Sequence, residues 1–249
     1  YMAYHSDYNL VGGYDYGVKA GVLHVADHHV SPGKKQWTWG NGDFGQAWDR
    51  NLTDENGPYI ELMTGMYTDN QPDFTWLKPF EEKTFVQYFM PYKQVGNVKN
   101  ASTEVVMRLE KIEESADLCV YTTAAYEQGK IVLTCGDQVL YTYEGMLSPT
   151  NIHSASIPCK GIPETDLRLS VYDGERLMLD YQPQPKCVEQ IPAAAEAAPQ
   201  PEKIATNEEL YLTGLHLEQY RHATYDPDPY YLEGLKRDPL DSRINNAYG

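Results

Sequence analysis

Alternation of apolar and polar positions with a period of two runs through much of the first 182 residues. Val22, His24, Ala26, His28 and Val30 fall on one face of an extended segment, with Leu23, Val25, Asp27 and His29 on the other. Trp37 and Trp39 share a face just before the turn-like Gly40-Asn41-Gly42. Pro58 precedes a short strand over 59–63, in which Ile60 and Leu62 face one way and Tyr59, Glu61 and Met63 the other. A further strand is predicted over 84–90, stopped by Pro91. Between them, residues 41–56 are rich in Gly, Asn and Asp and predict a long ordered loop, the kind of segment that carries binding sites on β-scaffolds.

The pattern tightens after residue 100. Thr103, Val105, Met107 and Leu109 alternate with Glu104, Val106, Arg108 and Glu110, and a strand follows over 118–126. Segments 131–135 and 139–143 flank Gly136-Asp137, a hairpin signal, and Leu167, Leu169 and Val171 lead to Asp173-Gly174 before Leu177, Leu179 and Tyr181 return. Short strands with turns about every ten residues predict a β-sandwich of immunoglobulin-like kind. The periodicity stops over 183–206, where Gln-Pro-Gln-Pro and Ala-rich sequence predict a linker. Helices are predicted beyond it. Asn207 caps a first turn holding Glu208 and Glu209, and Asp228-Pro229 and Asp238-Pro239 each read as an N-cap followed by proline at the first helical position. Two short helices around the Lys236-Arg237-Asp238-Pro239 joint predict stacked helical hairpins.

Composition narrows the ligand class. Twenty basic against 36 acidic residues give a net charge of −16, with no basic stripe, which disfavours nucleic acid and anionic membrane. No run of apolar residues is long enough to span a bilayer. Tyrosine outnumbers phenylalanine 21 to 5, so most of the aromatic surface carries a hydroxyl, which suits strands and half-wet clefts. Cys119, Cys135, Cys159 and Cys187 are too far apart for a short metal-binding spacing and read as buried free thiols in a reducing compartment, although a disulfide between two of them stays open.

The run from Ser31 through Lys34, Trp37, Trp39 and Asp43 to Gly45, then Ala47-Trp-Asp-Arg-Asn-Leu-Thr-Asp54, resembles a family of large, mostly uncharacterised bacterial proteins. The segment Gly57-Pro-Tyr-Ile-Glu-Leu-Met-Thr-Gly-Met-Tyr-Thr-Asp69, continuing to Phe74, strengthens the resemblance. In that family a galactose mutarotase-like β-supersandwich, similar to aldose 1-epimerases and to sandwich domains of glycoside hydrolases, precedes a tetratricopeptide array. Residues 230–249, with Leu235, Asp238-Pro239, Ala247 and Gly249, resemble the junction of two such repeats. The resemblance implies a mainly β chain: the C-terminal part of a supersandwich over 1–95, a small β-sandwich over 96–182, a linker over 183–206 and the start of a repeat array over 207–249. It also implies a carbohydrate ligand, a protein partner for the helices and a cytoplasmic location, and it names no cofactor.

Glu61 is the first candidate for chemistry, a carboxylate mid-strand between Tyr59 and Met63, suited to acid or base work on a sugar hydroxyl or glycosidic oxygen. An ion pair or a solvent-facing strand position is the alternative. His24 and His28 are candidates for proton transfer or sugar contact. On one strand they stand about 13 Å apart, too far to share an ion, so no metal is expected unless a loop begins at Asp27. Asp49 completes the catalytic set. Arg50, Asp69 and Asp27 supply donors and acceptors for hydroxyls, and Trp37, Trp39 and Trp48 supply apolar faces for pyranose rings. The glycine-rich run 40–45 lacks the basic residue of a phosphate loop and reads as lacking its strand–turn–helix setting.

Overall fold

The computed structural model describes residues 2, 3, 5–68, 75, 77–185, 196–220 and 225–249. Strand is the main regular structure, and the chain divides into two compact units, one over 1–68 and 77–187, the other over 69–76 and 188–249.

The first unit begins with β1 (Leu10–Asp15), β2 (Ala20–Val25), β3 (Lys35–Thr38), α1 (Asp43–Leu52), β4 (Ile60–Met63) and β5 (Tyr88–Lys93). β1, β2 and β5 form an antiparallel sheet in that order, and β3 pairs with β4 in a separate ribbon. Four expectations need correction here. The strand predicted over 22–30 ends at Val25, because the Asp27 carbonyl accepts the N–H groups of Val30 and Ser31 and closes a turn. His28 therefore leaves the strand that carries His24. The loop predicted over 41–56 contains α1. Asp43 in its first turn and Arg50 in its last oppose the helix dipole, so polar residues that read as loop are helix-compatible at those ends. The glycine-rich run thus does join a strand to a helix. Pro91 does not stop β5 but lies inside it, tolerated because β5 is an edge strand and one side of its ladder needs no N–H donor.

Residues 100–181 form two facing four-stranded sheets. The strands are β6 (Asn100–Ala101), β7 (Val105–Ile112), β8 (Ser115–Thr122), β9 (Gly129–Cys135), β10 (Gln138–Glu144), β11 (His153–Pro158), β12 (Leu167–Asp173) and β13 (Arg176–Tyr181). One sheet runs β11-β8-β7-β6 and the other β10-β9-β12-β13. Val105, Met107, Leu109 and Leu118 of the first meet Ile131, Leu133, Leu169 and Val171 of the second in a closed apolar core. The back of the first sheet is covered as well. Val106, Ala101 and Cys119 pack in a second cluster with Leu23, Val25, Met90 and Tyr92 of the β1-β2-β5 sheet. That cover explains why β7 departs from strict alternation, with Val105, Val106 and Met107 all buried. β11 escaped sequence reading because Ser154 and Ser156 give it little apolar signal. Cys119 and Cys159 are buried free thiols and Cys135 is half-buried.

In the second unit, α2 (Asn207–Tyr220), α3 (Asp228–Arg237) and α4 (Ser242–Tyr248) follow one another. Asn207 Nδ2 donates to the Gly234 carbonyl at one end of the α2–α3 pair, and Tyr231 donates to Glu218 towards the other, so the two helices run antiparallel. Gly214 sets the α2–α3 spacing and Gly234 that of α3 and α4: a Cβ on Gly214 would meet Tyr231 at 2.5 Å, and one on Gly234 would meet Ile244 at 2.4 Å. The stretch read as a linker is packed at its end. Ile204 is buried with Leu210, Leu217 and Tyr230 while Ala198 leans on them, and Arg237 donates to the carbonyls of Pro201, Ile204 and Ala205. Among the described residues no helix is long and apolar enough to cross a membrane.

Candidate functional site

The candidate residues gather around the β3–α1–β4 segment and the turn after β2. Gly40, at φ +79°, reverses the chain after β3, and α1 then starts against the strand end. The approach is close: a Cβ on Gly45 would lie 2.3 Å from the Gly40 carbonyl oxygen and 2.4 Å from that of Trp39. This contact brings Trp39 onto the face of α1 that carries Phe44 and Trp48, four residues apart and hence one turn above each other. Trp39 stacks on Trp48 with centroids 4.6 Å apart and planes 12° from parallel, while Phe44 stands edge-on to both at 6.2 and 6.3 Å. All three stay substantially exposed, Phe44 at 69 %, Trp39 at 42 % and Trp48 at 37 %.

Trp37 and Glu61 are cross-strand partners in the β3–β4 ribbon, so both side chains leave the same face, and both are exposed. Leu62, on the opposite face, lies against Gly13 of β1. The ribbon thus turns Trp37 and Glu61 away from the three-stranded sheet.

His24 sits on that sheet, 3 % exposed, with its ring 5.3 Å from that of Phe89. Neither ring nitrogen has a hydrogen-bond partner. Burial, reinforced by the Lys34 ammonium, holds its pKa below the ordinary value. Lys34 is itself buried, donates to the Tyr8 carbonyl, and has its pKa lowered by desolvation. Sequence reading passed over Lys34 and Phe44. Phe44 becomes legible only once α1 is recognised, through its spacing to Trp48, whereas nothing in the local pattern marks Lys34 for burial.

Asp49 projects from α1 and its Oδ1 accepts the Tyr59 N–H at 3.1 Å, tying the helix to the start of β4. Arg50 is exposed in the last turn of α1. Asp27 and His28 lie in the turn after β2, where Asn9 Oδ1 meets His28 Nδ1 at 2.7 Å. Asp69 lies outside the described residues. The structure therefore brings Trp37 to Glu61 and Trp39 to Trp48, and it sets His24, His28 and Asp49 in three separate environments. A cavity of about 450 Å³ opens beside the turn, lined by Asp27, Ser31, Thr84, Tyr88, Ser102 and Thr103 among others.

Residues 2–97 match the family model of a domain of unknown function, DUF5107. Residues 100–181 match the model of the second domain of YphG-like proteins. No solved structure matches the chain. The two matches meet at the boundary between the aromatic-bearing β region and the two-sheet sandwich, and together they indicate an uncharacterised family.

Proposed function

We propose that this is a carbohydrate-active protein whose first β region binds a glycan on the exposed aromatic face of Trp37, Trp39, Phe44 and Trp48, with Glu61 at its polar edge. The observation that carries this reading is the exposed cluster of Trp39, Phe44 and Trp48 at one strand–helix junction, with Trp37, also exposed, on the strand that leads into it. A pyranose presents an apolar C–H face that stacks on indole and a rim of hydroxyls that need donors and acceptors. Glu61 offers two acceptor oxygens beside Trp37.

Binding without catalysis is the form of the reading that the geometry supports best. Glu61, His24, His28 and Asp49, the acid–base candidates, occupy different settings: an open ribbon face, a buried sheet face, an Asn9-held turn and a backbone link. The second form is a glycoside hydrolase-like or epimerase-like enzyme using Glu61, and the one observation in its favour is the pairing of Glu61 with Trp37 on one face. The fold expectations belong with this reading. The order β11-β8-β7 opposite β10-β9-β12-β13 supports an immunoglobulin-like sandwich, and the antiparallel α2–α3 pair with its tight glycine contacts supports a tetratricopeptide-type unit serving a protein partner. The galactose mutarotase-like assignment for residues 1–95 rests on the sequence resemblance.

A glycan array probed with the full chain, followed by calorimetry on the best ligand and a hydrolysis screen, tests the reading. Saturable binding that survives Glu61→Gln, with no turnover, supports the binding form. Turnover abolished by Glu61→Gln, a loss of ~10²–10⁴-fold for an acid–base group, supports the enzyme. Absence of any glycan binding contradicts both.

A further inference from the structure

We infer that Asp27, His28 and His29 form a binding site for a single divalent transition-metal ion of the zinc type. This inference stands apart from the glycan reading and uses none of its aromatic residues.

On one strand His24 and His28 would stand too far apart to share an ion. In the structure β2 ends at Val25, and the turn that follows swings His28 out beside His29, with ring centroids 3.9 Å apart. One ligand atom from each of Asp27, His28 and His29 lies within 4.8 Å of the other two. A tetrahedral ion with bonds of ~2.0–2.2 Å needs its ligands ~3.4 Å apart, which rotation of the exposed Asp27 and His29 side chains towards half-buried His28 supplies.

The hydrogen bonds around the three residues decide which lone pairs are free. Asn9 Oδ1 accepts the His28 backbone N–H at 2.9 Å, so it is an acceptor, and the His28 Nδ1 it meets at 2.7 Å must be the protonated nitrogen. His28 Nε2 therefore carries the lone pair. Asp27 Oδ1 accepts the backbone N–H of His29 at 2.9 Å and lies 3.1 Å from its Nδ1, close to the ~3.4 Å edge of a tetrahedral zinc shell, so these two atoms can flank one ion once it displaces the Nδ1 proton. His28 thus has its Nδ1 held by an oxygen acceptor, which turns Nε2 outward as the ligating nitrogen. That is the outer-shell arrangement by which proteins orient metal-binding histidines. The Asp27 carboxylate supplies a hard, anionic donor. Two imidazoles and one carboxylate make a borderline donor set that suits Zn²⁺ and its neighbours rather than Mg²⁺ or Ca²⁺, which demand all-oxygen shells. Three protein ligands leave a position open for water or a further ligand.

The test is calorimetric titration of the full chain with Zn²⁺, repeated with Mg²⁺, alongside NMR of the histidine ring protons. The expected result is one Zn²⁺ site that shifts the rings of His28 and His29 and disappears in His28→Ala and in His29→Ala. Asn9→Ala, which keeps all three ligands but frees the tautomer, should weaken it by ~10-fold or more. Asp27→Asn keeps the turn's acceptor and should weaken it as well. Zn²⁺ isotherms unchanged in the His28→Ala/His29→Ala double variant, unshifted rings of these residues at saturation, or equal affinity for Mg²⁺ would each overturn the assignment.

Discussion

Two regions of the same compact unit use their apolar residues in opposite ways. In residues 100–181 the large apolar side chains on the inward faces of β7, β8, β9 and β12 are buried between two sheets. In residues 1–97 the three-stranded sheet hides Leu23, Val25, Met90 and Tyr92, and it does so against Val106, Ala101 and Cys119 of its neighbour. Meanwhile Trp37, Trp39, Phe44, Trp48, Ile60 and Leu62 remain open. One region closes its own core; the other leans on that core and leaves its aromatics in water. The difference implies that stability is concentrated in the two-sheet sandwich, and recognition in the region that it supports.

Substitutions in each region separate their roles. Leu169→Ala, at the centre of the sandwich, removes a fully buried side chain and should cost ~2–5 kcal/mol in denaturant unfolding. A loss below about 1 kcal/mol would mean that the sandwich is not where stability resides. Val106→Ala acts at the shared cluster and should cost about 2 kcal/mol. Hydrogen exchange should quicken in β2 and β5 more than in β9 and β12, and equal acceleration in all four would mean that the two regions unfold as one.

His24→Leu probes the first region from inside. It removes two buried nitrogens that lack partners, so it should be neutral or should stabilise by ~1–2 kcal/mol. It should also flatten the acid limb of stability. The folded pKa of His24 lies below its ordinary value of 6.5, so as pH falls through that value the unfolded chain takes up the proton first. Stability is full above about pH 6.5 and drains as pH drops towards the folded pKa, by at most ~1.4 kcal/mol per pH unit per histidine. His153, also lowered by burial, contributes in the same direction and remains in the variant, so the slope should shrink without vanishing. A marked loss of glycan binding in His24→Leu at unchanged stability would instead draw this residue into the site.

Much of the sandwich was legible in the sequence because its strands alternate cleanly and its hairpins carry Gly136-Asp137 and Asp173-Gly174 at the reversals. β11, built on serines, was not. The first region hid more, since what decides its shape is local chemistry that periodicity does not weigh. The Asp27 turn ends β2 five residues before the alternation does, and Gly45 lets α1 pack on the end of β3 inside a run that looks like loop. Of the candidate site, strand parity gave which residues share a face within each strand, but the pairing of Trp37 with Glu61 needed the β3–β4 register. The stacking of Trp39 on Trp48 needed a helix that the pattern did not announce, and the burial of His24 depended on which strand ran beside it and what lay above.

The division between a stabilising sandwich and a recognising aromatic face is tested most directly by Trp39→Ala and Trp37→Ala, with glycan affinity and thermal unfolding measured on the same samples. Both side chains are more than 40 % exposed, so unfolding free energy should change by no more than about 1 kcal/mol. Affinity for the glycan selected on the array should fall by at least about tenfold, the worth of one stacked aromatic. Unchanged affinity in both variants, or a loss of stability as large as that of Leu169→Ala, would contradict the account.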